Sequence, residues 1–404
     1  MKRILLTVAL VLAGVGGMYA RPALNQQKNP EWIVRGIKVV EAHAGNMLPR
    51  VLEQRKLPRS EERGLRNISD WTSGFYPGIL WYLYEYTQDN YWKENADAVT
   101  RILEKEQYNT EDHDIGFRIG CSYGKGYELT GNKEYASVVV QAAKSLSTRF
   151  IEKAQTIQSW SAMPERDWKC PVIIDNMMNL ELMYDATALS GDEKFADISY
   201  RHACTTMKNH FRKDYSCPHV VDYDPVTGKK RRDDYNNGFS DPSIAAWSRG
   251  QGWALYGYTL MYRYTKEKKF LNHAEHVAEF ILNHPNLPED MIPYWDFSSP
   301  KIPTKRDASA GALYASALLE LSTYSKDNSE KYFKAAEKIL KSLSSDAYLA
   351  KPGTNGDFAI KHATGNFLRG SELDNTLIYA DYYYIEALMR YLKLMHHQPL
   401  YKLF

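Results

Sequence analysis

The chain has 404 residues, enough for one large domain or two ordinary ones and for a core that can enclose a pocket. Its 51 Lys and Arg residues nearly balance 49 Asp and Glu residues, and the net charge of +2 excludes the basic field that drives nucleic-acid binding. The 30 tyrosines and 9 tryptophans suit a large core, a sugar-stacking cleft, or both.

Residues 1–20 have the pattern of a secretory signal peptide. A positively charged start precedes an apolar run, and small residues follow it up to Ala20. We predict cleavage after Ala20 and export of a single domain, residues 21–404, to the periplasm or out of the cell. An uncleaved anchor is the alternative, because Met18 fits the cleavage pattern poorly. No later segment offers the ~20 apolar residues that span a bilayer, so no membrane contact is expected after cleavage.

A polar turn recurs five times between an apolar helix and a second helix that opens on an aromatic residue. These turns are YTQDNYW (86–92), LTGNKEY (129–135), LSGDEKF (189–195), YTKEKKF (264–270) and YSKDNSEKY (324–332). The helices before the turns are apolar nearly all round, which predicts burial on both faces. The helices after them carry one apolar stripe, which predicts an outer layer. The pattern therefore indicates five helix hairpins, each with an inner and an outer member.

A sixth hairpin follows if the chain closes on itself. The last apolar helix, at about 376–394, lacks a successor, and residues 31–54 supply a leading helix that can pair with it. The prediction is an all-α fold of about twelve helices, an (α/α)6 barrel, with an open solenoid as the alternative. Short strand candidates, Val220-Val221 and 292–294, lie only in long loops.

In such a ring, every inner helix begins at the same end, so its first residues converge on one mouth. The six starts are DWTSGF (70–75), HDIGF (113–117), IDNM (174–177), WSRGQGW (247–253), RDAS (306–309) and SELDN (371–375). Acids, an arginine, a glutamine and tryptophans recur there. Helix capping is the alternative explanation for each aspartate, and core packing is the alternative for each tryptophan.

The segments that lead into the inner helices are long, whereas the connections at the other end are short. Long loops without secondary structure are uncommon unless they build a site. Those at 153–172, 212–243, 285–305 and 345–373 carry Trp160, Trp168, Trp295, Lys361, His362 and Arg369. We therefore expect a deep pocket walled by aromatic rings and floored by helix N-termini.

The residues at this mouth suit a charged sugar. Aromatic walls match the apolar faces of a sugar ring. Inward-pointing helix N-termini, together with Arg249, Lys361 and Arg369, favour an anionic ligand, so a carboxylated sugar fits better than a neutral one.

Two acids on neighbouring inner helices suggest catalysis. Asp114 and Asp175 would be a general acid/base and its partner. Packing beside apolar Ile174 and Met177 predicts a raised pKa that keeps one of these acids protonated near neutral pH.

No metal or cofactor is predicted, because no His, Cys or carboxylate cluster has metal-type spacing. His113 is as readily a packed or capping residue as a ligand. The four cysteines, Cys121, Cys170, Cys204 and Cys217, are scattered, and we expect isolated thiols.

Several separated motifs together resemble the unsaturated glucuronyl hydrolases of glycoside hydrolase family 88. In order, they are WTSGFYPG (71–78), HDIGF (113–117), IDNMMNL (174–180), WSRGQGW (247–253), KH (361–362) and LIYADYY (377–383). The similarity extends over about residues 30–395.

This resemblance implies a single (α/α)6-barrel catalytic domain over residues 21–404 that takes an unsaturated uronyl oligosaccharide as its partner. Such an enzyme removes the 4,5-unsaturated uronic acid that polysaccharide lyases leave at a non-reducing end. It implies hydration of a vinyl ether, in which Asp175 protonates C4 and activates the water that adds at C5. Asp114 would bind ring hydroxyls and hold the substrate and Asp175 in place.

The resemblance also implies a set of substrate contacts. Trp71 and Trp160 would line the sugar subsite, and Arg249 and Gln251 would lie near the substrate or in its supporting shell. The full substrate-binding set that we predict is Trp71, Trp160, Asn236, Arg249, Gln251, Trp253, Lys361 and His362.

Two departures from the family pattern bear on specificity. Many members carry His-Gln-Gly where this chain has Asn236-Asn237-Gly238. Some members carry serines ahead of a lysine associated with sulfate recognition, and here only Lys361 remains.

Three alternative functions stay open at this stage. They are an unsaturated rhamnogalacturonyl hydrolase acting on pectin fragments, an ordinary inverting glycosidase that uses Asp114 and Asp175, and a non-catalytic sugar-binding toroid.

Overall fold

Residues 23–401 are described by a computed structural model and contain twelve α-helices. The predicted signal peptide, residues 1–20, lies outside the described residues. The helices are α1 (Glu31–Gln54), α2 (Phe75–Thr87), α3 (Asn90–Ile102), α4 (Lys125–Thr130), α5 (Lys133–Ser147), α6 (Leu180–Ser190), α7 (Glu193–Asn209), α8 (Ser248–Thr265), α9 (Lys268–Asn283), α10 (Ala308–Ser322), α11 (Ser329–Leu343) and α12 (Ile378–Met395). Even-numbered helices form the inner layer, and odd-numbered helices form the outer one.

Two inner helices are preceded by irregular helical turns, which contain parts of the sequence motifs around the predicted catalytic acids Asp114 and Asp175. A π-helical segment, Gly116–Gly124, leads into α4, and a 3-10 segment, Ile174–Asn179, leads into α6. The remaining 3-10 turns are Leu24–Gln26, Glu104–Tyr108, Pro164–Arg166 and Asn355–Asp357. Helical periodicity predicts the inner helices but not these local changes of winding, which occur where the helices meet the site.

The inner helices form a closed ring. The first and last of them, α2 and α12, pack side by side, with the Phe75 and Tyr382 rings 5.1 Å apart. The Tyr82 hydroxyl donates to Glu386 Oε2 at 2.8 Å across the same seam. This contact between helices some 300 residues apart confirms the predicted (α/α)6 barrel, since an open solenoid would leave its two ends apart.

Four hairpin turns share one backbone device that explains the short connections. The residue after each inner helix has a left-handed conformation, and these residues are Gln88, Gly131, Gly191 and Lys266, with φ of 58°, 66°, 74° and 56°. In the first three hairpins the next residue, Asp89, Asn132 or Asp192, caps the outer helix with its side chain. A left-handed residue at the end of the inner helix, followed directly by the N-cap of the outer helix, reverses the chain within these short turns.

The long loops contain three small antiparallel sheets. They consist of β1 (Leu57–Ser60) with β2 (Gly64–Arg66), β3 (Phe150–Ile151) with β4 (Thr156–Ile157), and β5 (Cys170–Ile173), β6 (Val220–Tyr223) and β7 (Lys230–Asp234) in that order. The strand candidate at Val220-Val221 lies in β6. The candidate at 292–294 forms only an isolated bridge, between Tyr294 and Arg306. All four cysteines are unpaired, as predicted.

The lower half of the barrel, where the inner helices end, encloses a cavity of about 410 Å³. Phe117 and Met178, each three positions after one of the predicted catalytic acids, line this cavity. Asp114 and Asp175 themselves do not line it. The C-terminal Tyr401 lies against this cavity. Its hydroxyl accepts from Arg263 Nη2 at 2.7 Å and donates to buried Glu320.

We expect Tyr401→Phe to lower the free energy of unfolding by about 1–3 kcal/mol, because three charged partners, Arg263, Arg390 and Glu320, lose a hydrogen bond in a largely buried network. Denaturant titration measures this change. Tyr108→Phe is the matched control, since Tyr108 is 66% exposed. Equal effects of the two substitutions would contradict this role for Tyr401.

Candidate active site

Asp114 and Asp175 lie on two neighbouring segments that are packed together at the upper end of the barrel. A Cβ atom on Gly116 would stand 2.4 Å from Asn179 Oδ1, so only glycine permits this approach. The Phe117 amide donates to the same Asn179 oxygen at 3.2 Å. The start of the π-helix and the 3-10 turn that carries Asp175 are therefore held in fixed positions relative to each other.

Helix capping does not account for Asp175. The 3-10 turn begins after Ile173 without any side-chain capping bond. The Asp307 side chain, by contrast, does cap its helix by accepting from the Ser309 amide at 3.2 Å. The capping interpretation is thus correct for Asp307 and wrong for Asp175, whose side chain is only 11% exposed.

His219 faces Asp175 and was not predicted as a site residue. Its Nε2 atom lies 3.2 Å from Asp175 Oδ1, and its side chain is 1% exposed. The antiparallel pairing of β5 with β6 puts Ile173 opposite Val220, and the Ile174 amide donates to the His219 carbonyl at 3.2 Å. Strand pairing therefore brings His219, the residue before β6, next to Ile174, the residue after β5, and so beside Asp175.

The tautomer of neutral His219 follows from its second contact. The Asn237 amide donates to His219 Nδ1 at 2.8 Å, so this nitrogen carries no proton. The ring proton of the neutral imidazole then lies on Nε2, which is 3.2 Å from Asp175 Oδ1 but outside hydrogen-bond geometry.

Asp114 has a different environment from Asp175. Burial, followed by the nearby Asp112 carboxylate, raises the pKa of Asp114 well above its usual value, although Arg118 opposes the shift. His113 Nε2 lies 3.3 Å from Asp114 Oδ1, and burial lowers the pKa of His113 to about 4, so this imidazole is neutral near pH 7. Desolvation is therefore the largest contribution to the raised pKa of Asp114.

One wall of the site is a continuous series of ring contacts. The Trp71 and Tyr379 rings are 4.9 Å apart, and the Arg249 guanidinium lies 5.1 Å from the Tyr379 ring and 4.6 Å from that of Trp247. Trp71 also contacts Phe117 at 5.4 Å. These contacts place Trp71 and Arg249 on the same side of the mouth.

The series continues to the other side through His219. The Trp247 and His219 rings are 4.7 Å apart, and Trp160 packs edge-on against His219 at 6.0 Å. Trp160 also stacks on Trp168 at 5.6 Å and remains partly exposed. Trp71 and Trp160, the two predicted sugar-stacking residues, thus belong to one wall that passes beside Asp175.

Arg249 and Gln251 support this wall from behind. Arg249 is 2% exposed and donates to Asp307, to the Thr364 carbonyl at 2.7 Å and to the Gly365 carbonyl at 2.8 Å. Gln251 Nε2 donates to the Cys217 carbonyl at 3.1 Å and so anchors the segment that carries His219. Both residues hold the site in shape.

The other predicted contacts occupy different positions. Trp253 is completely buried between Phe117 and Tyr383 in the barrel core. Lys361 Nζ donates to the Asp346 carbonyl, and His362 Nδ1 bonds with Asp374 at 2.6 Å. None of these three side chains contacts either acid in the structure.

No group of three or more His, Cys, Asp or Glu side chains suited to a metal ion occurs among residues 23–401. Over the same residues, no helix is long and apolar enough to cross a membrane.

Asp114→Asn tests the raised pKa of Asp114. An acid with a raised native pKa binds its proton more tightly when folded, so its stability contribution falls as pH rises above about 4, the unfolded value. We therefore expect the difference in melting temperature, Asp114→Asn minus parent protein, to become more positive as the pH rises from about 4 to 8. Calorimetry measures both melting temperatures.

Asp112→Asn is the control for this test. Burial would raise the pKa of Asp112, but the Arg118 guanidinium outweighs burial and lowers it. A lowered pKa stabilises the protein above the unfolded value and loses this effect in acid, so this variant should show the opposite pH trend. Parallel trends in the two variants would refute the assignment.

We expect His219→Ala to reduce kcat on the order of 100-fold with a smaller change in KM, because a catalytic carboxylate that shifts by about 1 Å loses this much. Steady-state kinetics with the substrate proposed below measure the effect. His284→Ala, in the half-buried outer layer, is the control. A change confined to KM would show that His219 binds substrate and does not position Asp175.

An (α/α)6 barrel with two inward-facing carboxylates beside an aromatic wall defines the class of protein, a carbohydrate-active enzyme. Comparison with known families identifies it further. The model of Glycosyl Hydrolase Family 88 matches residues 46–394, and the chain belongs to this family. It is a glycoside hydrolase.

Two relatives are almost half identical to this chain over the aligned residues. An unsaturated glucuronyl hydrolase from Formosa agariphila is 45% identical over 323 residues, which are 80% of each protein. The crystal structure of an unsaturated glucuronyl hydrolase specific for heparin is 46% identical and superposes with a TM-score of 0.86 over 93% of this chain and 100% of that one.

A more distant structure shows the same architecture. The unsaturated glucuronyl hydrolase of Bacillus sp. GL1, described as responsible for glycosaminoglycan degradation, is 29% identical with a TM-score of 0.82. The superposition covers 89% of this chain and 96% of that chain.

Proposed function

We propose that this enzyme removes the 4,5-unsaturated uronic acid from the non-reducing end of lyase-generated glycosaminoglycan oligosaccharides, by hydrating the C4=C5 vinyl ether. The observation that carries the assignment to residues is the position of Asp175, whose Oδ1 atom lies 3.2 Å from His219 Nε2 beside the aromatic wall. The family membership supports the reaction type.

In this mechanism the Asp175 carboxyl gives its proton to C4, and positive charge develops at C5 and the ring oxygen. A water molecule adds its oxygen to C5 and returns a proton to Asp175, so that the acid is regenerated. The product is a hemiketal at C5. It opens to a ketone and releases the leaving sugar from C1.

Asp114 acts as a neutral partner in this scheme. Because burial raises its pKa, the Asp114 carboxyl can donate a hydrogen bond to a ring hydroxyl, and it then adds no second negative charge once Asp175 has given its proton to C4. Trp71 and Trp160 supply the apolar surfaces against which the sugar packs.

Absorbance of the substrate's conjugated double bond in the near ultraviolet measures the reaction directly. We expect the signal to disappear with unsaturated glycosaminoglycan disaccharides, and Asp175→Asn to reduce turnover by at least 10²-fold while still binding substrate. A non-catalytic sugar-binding toroid would show no loss in either protein. Cleavage of a saturated aryl glucuronide at a comparable rate would favour an inverting glycosidase.

We further propose that the substrate is of the heparin type. The support is the 46% identity and full-length superposition with the heparin-specific enzyme, against 29% for the Bacillus protein. Comparing kcat/KM for disaccharides released by heparin, chondroitin, hyaluronan and pectin lyases tests this choice. The highest value on a pectin-derived product would instead support a rhamnogalacturonyl hydrolase.

Export remains part of the proposal and rests on the charged, apolar and small-residue pattern of residues 1–20. N-terminal sequencing of the protein recovered from the periplasm or the medium should begin at Arg21. Recovery of the intact N-terminus in the membrane fraction would support the uncleaved anchor.

A further inference from the structure

The rim loop, residues 363–375, forms part of the mouth of the active site. It follows Lys361 and His362 in sequence, and its first carbonyls, those of Thr364 and Gly365, accept from Arg249 behind the aromatic wall. The Phe367 ring stacks face to face on Trp295 at 4.1 Å. The base of this loop is therefore tied to the wall of the site, and its tip faces solvent.

One charge in the rim loop has no acidic partner in the part of the chain that the structure describes. Glu372 pairs with Arg59 at 2.8 Å, and Asp374 pairs with Lys305 at 3.0 Å. Arg369, at the exposed tip, forms no ion pair with any residue between 23 and 401. Its positive charge is thus available to an anion.

Arg369 is nevertheless held in place. Its Nη2 atom donates to the side-chain oxygen of Asn236 at 2.7 Å, and its backbone amide donates to Asn366 Oδ1 at 3.1 Å. Asn366 Nδ2 in turn donates to the Asn236 carbonyl at 3.1 Å. A neutral amide fixes the guanidinium while Nε and Nη1 keep their donors, which suits bidentate binding of an oxyanion.

The position of Asn236 relates Arg369 to the reacting centre. Asn237, the next residue, donates its amide to His219, and His219 faces Asp175. Arg369 therefore lies outward from Asp175 on the same side of the mouth. A sugar whose C4 and C5 atoms meet Asp175 directs its leaving group outward, toward the rim.

Lys361 does not provide an equivalent charge. Its ammonium donates to the Asp346 carbonyl at 2.7 Å, and Asp346 also pairs with Arg35 of the outer helix α1. This cation is directed toward the outer layer of the barrel. Among the predicted cations, Arg369 is the one that combines exposure at the mouth with free donors.

We propose that Arg369 binds a sulfate group on the hexosamine next to the unsaturated uronic acid, and that it sets the enzyme's preference for sulfated substrates. This inference rests on the proposed function. It assigns sulfate recognition to the tip of the rim loop and to the Asn236 contact, in place of Lys361.

Kinetics with three sets of unsaturated disaccharides test the assignment. One set is unsulfated, one carries sulfate on the hexosamine, and one carries it only on the uronic acid. We expect Arg369→Ala to lower kcat/KM about tenfold, through KM, on the hexosamine-sulfated set alone. The kcat/KM of Arg369→Lys on this set should lie between the values of the parent enzyme and of Arg369→Ala, because lysine keeps the charge but lacks the planar guanidinium fork.

Lys305→Ala is the matched control, since it removes an exposed rim cation that Asp374 already neutralises. It should leave the ratio of sulfated to unsulfated kcat/KM as in the parent enzyme. An equal loss on all three sets, or no loss on any, would overturn the role of Arg369. Failure of the parent enzyme to turn over any disaccharide would instead reject the proposed function.

Discussion

The closed ring of inner helices is the constraint on which the site depends. Four of the inner helices end in a tight reversal, the closed ring brings the starts of all six to the same end of the barrel, and residues from 70 to 375 meet around one mouth. The seam between α2 and α12 completes this arrangement through the Phe75 and Tyr382 rings and the bond from Tyr82 to Glu386. Without that seam, Trp71 and Tyr379 would not share a wall.

The small sheet of β5, β6 and β7 orients the catalytic carboxylate, which the packing of the inner helices alone does not do. Helix packing brings Asp175 to the mouth but does not define its orientation. The pairing of Ile173 with Val220 places His219 at Asp175 Oδ1, and the Asn237 amide then determines which imidazole nitrogen carries the proton. The loops thus supply the orientation of the catalytic group, and the barrel supplies its location.

Sequence patterns predicted the parts of this molecule that follow from local periodicity. The inner and outer layers, their number and the convergence of Asp114 with Asp175 all follow from apolar spacing and from turn residues such as Gly131 and Gly191. His219 could not be found in this way, because its place depends on the register between two short strands that are separated by 46 residues. The sequence also does not show whether the Lys361 side chain points toward the mouth or toward the outer layer, because this direction depends on its hydrogen bond to the Asp346 carbonyl.

The electrostatics of the mouth show which of two opposing effects prevails at Asp114. Inner-helix N-termini favour negative charge there, but each contributes about 0.3–1 kcal/mol and at most ~2 kcal/mol in partly buried sites. Desolvation of a largely buried carboxylate can disfavour its charged form by a larger free energy. Burial therefore outweighs the helix dipoles, and the neighbouring Asp112, which is paired with Arg118, adds to the effect.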